Sequence, residues 1–373
     1  MKSHSRNWFN LLAIGVTGAI SCMAFVLPAS ATTTNVNVVG YSIVGPAFKA
    51  LEAAFQAAPA GQGVTFTNSF GASDTETSNV ANGQAADIVN LSYEPNVSTL
   101  VSDNLVPGNW KSQEKSIAGV NTSLTGKKQQ TTYNEPGIVT NSTVVIVVRK
   151  GNSLGIRGWK DIIRPGAEII TPNPATSGSA KWNLLAGYAG WLTQKHTPVQ
   201  AQNYLKSLLS HTIAQPTSGS SALATFLTGE GNVLLAYEDD AQAAVAAGDP
   251  VQIVVPAQTL LIQNPIALTN TGINNTSATA FYKFLFSRTG QGIFANLGYR
   301  SVLTSVWNLT KGDFASFTAP TKLLTITNLN KNGWSGTDPE FFGSTVKFPK
   351  NDSNHPNAGI VTYLEQFAGQ SIG

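Results

Sequence analysis

Three stretches of glycine and small hydroxyl residues stand between the end of a strand pattern and the start of a helix pattern. They are “NSFGASDTE” around Ser73, “ATSGSAKWN” around Ser177 and “PTSGSSALATF” around Gly219. A helix start presents backbone N–H groups that have no acceptor within the helix. Their partial positive charge attracts anions, and the lack of side-chain bulk lets an anion reach them. Three such ends meeting in space would enclose a small tetrahedral oxyanion with donors and no formal counter-charge. Taken singly, each stretch is also a helix cap, for which Ser and Thr are favoured. “Ser73-Asp-Thr-Glu76” in particular reads as a capping box. Tyr237 ends the strand pattern “NVLLAYED” and adds a neutral hydroxyl at the carboxyl end of a strand, where ligands sit in open α/β sheets. A tyrosine there is equally an interface residue with a wetted hydroxyl.

The residues of catalysis are poorly represented. His4 lies in the leader, and His196, His211 and His355 are isolated, with no HExxH or paired spacing, so no metal site is expected. There is no Walker loop. “Ser112-Gln-Glu-Lys115” fits S-x-x-K but sits in a polar stretch without a partner motif. Glu238, Asp239 and Asp240 are sequence neighbours whose side chains point apart, which makes them a poor acid/base pair. No catalytic residue and no cofactor are assigned. With 12% charged residues and a formal charge of +3 over 373 residues, the chain has no basic field for nucleic acid. An ion would have to be held by local dipoles.

The elements that must position these residues alternate. “NVNVVGYS” alternates like a strand and is followed by “GPAFKALEAAFQAA”, whose Phe48, Leu51, Ala54 and Phe55 recur at helical spacing. “GVTFTNSFG” is a strand, “SDTETSNVANGQ” a helix and “ADIVNLSYEP” a third strand. Residues 111–133 are polar and unperiodic and read as an exposed loop or insertion. “STVVIVVRKGN” opens a second block, which runs through “GAEIITPNP”, three helices and “NVLLAYED”. “PVQIVVPAQTLLIQNPIALTN” is a long extended run able to carry the chain back to the first block. Helical “SATAFYKFLFSRTGQGIFANLGY” with a glycine break follows, and then a mixed tail in which “KLLTITNL” is the clearest strand. The alternation predicts an α/β class with a mostly parallel sheet.

Residues 1–31 read as a signal peptide: Lys2 and Arg6, an apolar stretch, and the small-residue site “ASA” at Ala29–Ala31. A retained membrane anchor and lipidation at Cys22, the only cysteine, are the competing readings of this segment. Removing Lys2 and Arg6 would take the formal charge from +3 to +1.

“IITPNPATSGSAKWNLLAGYAGW” closely resembles the signature of bacterial periplasmic sulfate-binding proteins, typically ITPNPKTSGGARWNYLAAW. The resemblance extends to “NSFGASDTE”, “TVVIVVRKGN”, “SGSSALATF”, “NVLLAYEDDA”, “FYKFLFSRTGQGIFANLGYR” and “KLLTITNL” with a following “GW”. In detail the chain looks nearest to the actinobacterial branch. The resemblance implies a two-lobed Venus-flytrap receptor of the type II periplasmic-binding-protein fold, with its ligand cleft between the lobes. Lobe 1 would comprise residues 32–141 and a return segment, 263–373, that includes the tail; lobe 2 would comprise 142–262. It implies a monomeric partner of a membrane-embedded ABC permease, exported to the periplasm or cell surface. It also implies sulfate or a related tetrahedral oxyanion as ligand, held by Ser73, Ser177, Gly178, Ser179, Gly219 and Tyr237, with Ser42, Asp74 and Ser220 as additional candidate contacts. Three departures stand out. Ser179 replaces a glycine, Tyr237 replaces a tryptophan, and Asp74 stands where the family usually has glycine. Asp74 reads as a first-turn residue facing solvent; facing the cleft, its carboxylate would favour hydrogen phosphate, which needs an acceptor for its proton. Phosphate or molybdate, and in another class an exported hydrolase with a helix-dipole oxyanion hole, are the alternatives.

Overall fold

The computed structural model describes residues 34–120, 135–316, 322–343 and 358–368. The leader, the rest of the polar insertion and His355 lie outside the described residues. Strand β1 (Asn35–Tyr41) leads through a short 3-10 turn into α1 (Gly45–Ala57), then β2 (Thr65–Gly71), α2 (Ser73–Ala81), β3 (Ile88–Asn90), α3 (Glu94–Ser102) and α4 (Gln113–Ser116). After β4 (Ile138–Arg149) come β5 (Ile169–Ile170), α5 (Gly178–Leu192), α6 (Pro198–Ser210), β6 (Thr212–Ala214), α7 (Gly219–Leu227), β7 (Val233–Tyr237), α8 (Glu238–Ala247) and β8 (Val251–Val254). The chain returns along β9 (Gln258–Leu268) into α9 (Thr276–Leu285), α10 (Arg288–Asn296), β10 (Arg300–Ser301) and α11 (Thr304–Thr310). The tail supplies β11 (Lys322–Leu324), α12 (Ile326–Leu329), α13 (Trp334–Phe342) and α14 (Ile360–Leu364).

One sheet runs in the order β2-β1-β3-β9-β4-β7-β5-β6, with β10 and β8 paired to β4 and β11 to β9. The α/β class holds, but the sheet is mixed. Five pairings are parallel and five antiparallel. The antiparallel pairings centre on β4 and β9, two long strands built of β-branched and apolar residues, “IVTNSTVVIVVR” and “QTLLIQNPIAL”, that are buried along nearly their whole length. β9 pairs with β3 through Leu268–Ile266 and with β4 through Pro265–Leu261. β4 then continues past β9 to pair with β7 and β8. These two strands therefore join a β2-β1-β3 half to a β7-β5-β6 half.

Helix α1 buries Phe48, Leu51 and Phe55, as its spacing requires, and Phe55 meets Phe281 of α9 at 5.2 Å between ring centroids. Helix α5 is buried at every position from Gly178 to Gly190, the pattern of a helix with neighbours all round. Trp334 of α13 packs edge-on against both Tyr93, after β3, and Trp182 of α5, with centroids 5.1 and 4.8 Å apart.

The stretch after Lys111 is less exposed than its polarity suggests. Gln113 is buried because its side chain completes two backbone hydrogen bonds of β9, donating to Leu268 O at 3.0 Å and accepting from Leu268 N at 2.8 Å. Glu114 accepts from Gly137 N at 3.1 Å. The break between α9 and α10 falls at Ser287, which caps α10, and not at a glycine. Among the described residues no helix is long and apolar enough to cross a membrane.

Candidate functional site

The candidate residues lie at the carboxyl ends of parallel strands: Ser42 after β1, Ser73 after β2, Ser177–Ser179 after β5, Gly219 and Ser220 after β6, and Tyr237 at the end of β7. The fold brings them together. The Asp74 N–H donates to Thr176 O at 3.1 Å, so the start of α2 touches the loop before α5. A Cβ added to Gly178 would lie 2.7 Å from Ser92 Cβ and from Tyr93 Cδ1, and one added to Gly219 would lie 3.0 Å from Ser179 Oγ and 2.6 Å from Ile43 Cδ1. Both glycines thus stand where neighbouring side chains pack against the helix start too closely for a Cβ. Ser220 N donates to Ser42 Oγ at 3.3 Å.

The local chemistry at the three helix starts differs. Helix α6 is closed by a full capping box between Thr197 and Gln200. In contrast, α2, α5 and α8 have Ala72, Ser177 and Tyr237 at their N-cap positions and no side-chain cap. The capping box expected at Ser73 does not form. The helix begins at Ser73, whose Oγ donates to Ser92 Oγ and accepts from Ser92 N, both at 2.9 Å, while Glu76 accepts from Ser69 instead. Ser177 and Ser179 bond each other through their hydroxyls at 2.7 Å, which leaves the α5 N–H groups without a side-chain acceptor. The start of α7 is partly used: Ser218 caps it by accepting from Ser221 N.

Ser73, Ser177 and Ser179 are at most 4% exposed, and Tyr237 is fully buried. Burial pushes the Tyr237 phenol well above its usual range, so it is a neutral donor. Its ring lies 6.2 Å from that of Tyr41. Ser92 and Asn264 are polar neighbours of its hydroxyl, and neither completes a hydrogen bond with it. Next in sequence, Glu238 turns away to a buried bidentate pair with Arg300 (2.6 and 3.0 Å), and Asp239 accepts from Ser142 Oγ. The adjacent carboxylates therefore do point apart, as their spacing requires. Burial, with the charge of Glu238 adding, raises Asp239 to about 7, against the lowering effect of Ser142.

Asp74 faces neither bare solvent nor the serines. Its Oδ2 takes Lys181 Nζ at 2.9 Å and its Oδ1 takes Asn96 Nδ2 at 2.7 Å. An open cleft of about 450 Å³ lies beside this pair, lined by Asp74, Lys181, Asn173, Phe342 and Glu365 among others. Ser92 was not singled out by the sequence, yet it is the hub. It bonds Ser73, faces Gly178, and its carbonyl accepts from Trp182 Nε1 at 2.9 Å. The signal was present: “NLSYEP” repeats the pattern of strand end, serine and helix start.

Buried, uncapped helix starts gathered at strand ends in a mixed α/β sheet define a receptor for a small ligand. The chain belongs to the bacterial extracellular solute-binding proteins: residues 36–300 match the pattern of that family, “Bacterial extracellular solute-binding protein”. It is 30% identical to the sulfate-binding protein of Synechococcus elongatus, over 86% of this chain and 87% of that one. It is 25% identical to the thiosulfate-binding protein of Pseudomonas aeruginosa, over 69% and 75% of the two chains. Among solved structures it superposes on the sulfate-binding protein SubI from Mycobacterium tuberculosis with a TM-score of 0.73 and 37% identity, over 83% of this chain and 99% of that one. The resemblance to sulfate-binding proteins, with its actinobacterial lean, is thereby borne out, as is the periplasmic-binding-protein fold. The chain is a binding protein of transport, not an enzyme.

Proposed function

We propose that the protein is the extracytoplasmic sulfate receptor of an ABC importer, closing around one anion and presenting it to the membrane permease. The observation that carries this reading is the convergence of the uncapped starts of α2, α5 and α8 with serine hydroxyls and a neutral, unpartnered tyrosine hydroxyl. Sulfate at neutral pH has no proton to donate, so it is served by donors alone, and oriented peptide dipoles supply positive potential without a fixed cation. Thiosulfate, also a tetrahedral dianion, is the second ligand of this chemistry. Ser73, Ser177, Gly178, Ser179, Gly219 and Tyr237 form the cradle, with Ser42 and Ser220 at its rim. Residues 32–141 and 263–373 form one lobe and 142–262 the other, and β4 and β9, which cross between the sheet halves, are the hinge. Binding shifts the population from open to closed. The protein works as a monomer, exported by a signal peptide cut after Ala31; lipidation of Cys22 is the alternative route to the cell surface.

A hydrolase would need a nucleophile beside a base. The site serines bond one another, while His196 stacks on Trp191 and His211 bonds Ser207 O. Calorimetry of the purified protein against sulfate, thiosulfate, phosphate and molybdate tests the proposal. Sulfate is expected to bind tightest, at about micromolar Kd or below. Tighter binding of phosphate or molybdate, or no heat with sulfate, refutes it.

A further inference from the structure

Asp74 is an improbable neighbour for a dianion, being a carboxylate in the first turn of a helix that has no side-chain cap and whose start the anion needs. Left alone, a carboxylate there would turn to that start itself, since acidic side chains are favoured at helix starts. The structure shows what restrains it: Asn96 Nδ2 donates to Oδ1 at 2.7 Å, and the charge is met on the other oxygen. Lys181 Nζ holds Asp74 Oδ2 at 2.9 Å and also donates to the Tyr93 hydroxyl, with its side chain only 10% exposed. The ammonium lies 4.5 Å from the centroid of the Tyr93 ring and 5.4 Å from that of Phe342. Asp338 of α13 is the other acidic neighbour of this cluster. A lysine in the first turn of α5 opposes that helix's own dipole, so its place there needs another cause. The bridge supplies one. It ties the starts of α2 and α5, the two uncapped helices that flank Ser92, and it neutralises the carboxylate beside them.

We propose that Lys181 is a specificity-setting positioning residue: by drawing the Asp74 carboxylate against α5, it keeps the start of α2 as a donor-only surface for a fully deprotonated oxyanion. The proposal rests on the oxyanion reading of the cleft. Freed from Lys181, Asp74 both competes with the anion for α2 and offers an acceptor that a protonated oxyanion can use and sulfate cannot.

The test is calorimetry of Lys181→Met, Lys181→Arg and the double variant Asp74→Asn/Lys181→Met, with sulfate and inorganic phosphate as probes. Lys181→Met should weaken sulfate about tenfold or more and raise the ratio of phosphate to sulfate affinity. Lys181→Arg should keep sulfate affinity, and the double variant should restore it to within about threefold, because the competing charge is gone. Unchanged sulfate affinity in Lys181→Met overturns the proposal. So does a loss that Asp74→Asn fails to relieve, since that is the mark of a purely structural role. If the unaltered protein prefers molybdate, the ligand assignment falls and the same series on molybdate decides the role of Lys181. If it binds no oxyanion, both readings fall together.

Discussion

Substituting Gly178 by alanine tests the convergence of the helix starts most directly. The new methyl would sit 2.7 Å from Ser92 Cβ and 2.7 Å from Tyr93 Cδ1, about 1 Å inside the optimal carbon–carbon separation. Ser92 cannot give way cheaply, because its N–H is bonded to Ser73 Oγ and its carbonyl to Trp182 Nε1. Overpacking of this kind costs typically about 1–3 kcal/mol. The clash is made only where the start of α5 meets the segment after β3, so in the proposed open form it disappears. The cost then falls on closure and appears as a loss of sulfate affinity of roughly 5- to 150-fold. The stability of the unliganded protein should hold or rise slightly, since alanine is the better helix former. Calorimetry gives the affinity, and thermal unfolding with and without sulfate gives the stability. An affinity within about twofold of the unaltered protein would refute the argument, for it would mean that these two segments do not come together when the ligand binds.

Tyr237→Phe removes a buried hydroxyl that has no protein partner, so the unliganded protein should melt no lower while sulfate affinity drops by roughly 10- to 150-fold, the worth of a hydrogen bond to a charged group. Equal affinity by calorimetry would take Tyr237 out of the cradle. Asp239 holds its proton to about pH 7 in the folded protein but only to about pH 4 when unfolded. Its contribution to stability is therefore present at low pH and is lost as pH rises through that window, by up to about 4 kcal/mol. Asp239→Asn should accordingly raise Tm at pH 8 more than at pH 5, and an equal shift at both would contradict this. Arg300→Met strands Glu238, which is 2% exposed, at a cost of about 3–5 kcal/mol. A Tm lower by roughly 4–7 °C in calorimetric scans is expected, with partial recovery when Glu238→Gln is added.

Much of the candidate site was legible because its signal is local. A strand end, a run of small residues and a helix start are adjacent in sequence, and Ser73, Ser177 and Gly219 each stand at such a junction in the fold. Ser92 escaped because “SYEP” reads as the close of a strand, whereas β3 stops at Asn90 and α3 opens at Glu94. The partner of Asp74 was hidden for a different reason: Lys181 lies 107 positions away, and nothing local to either residue announces the other. Gln113 and Glu114 were read as surface residues because of their polarity. Their burial depends on backbone groups of distant segments, Leu268 and Gly137, that only the folded chain supplies. The mixed character of the sheet escaped for the same cause. Alternating elements show that β4 and β9 exist, while their antiparallel crossing is set by the path between them.

The edge-on pile of Tyr93, Trp334 and Trp182 has a consequence outside binding itself. One ring follows β3, one belongs to α5 and the third is lent by the tail, so the pile straddles both halves of the sheet. Indole emission responds to the polarity and the neighbours of the ring. Any separation of the halves that wets or tilts Trp334 would change the light the protein emits, which makes it an optical gauge of its own closure without an added dye.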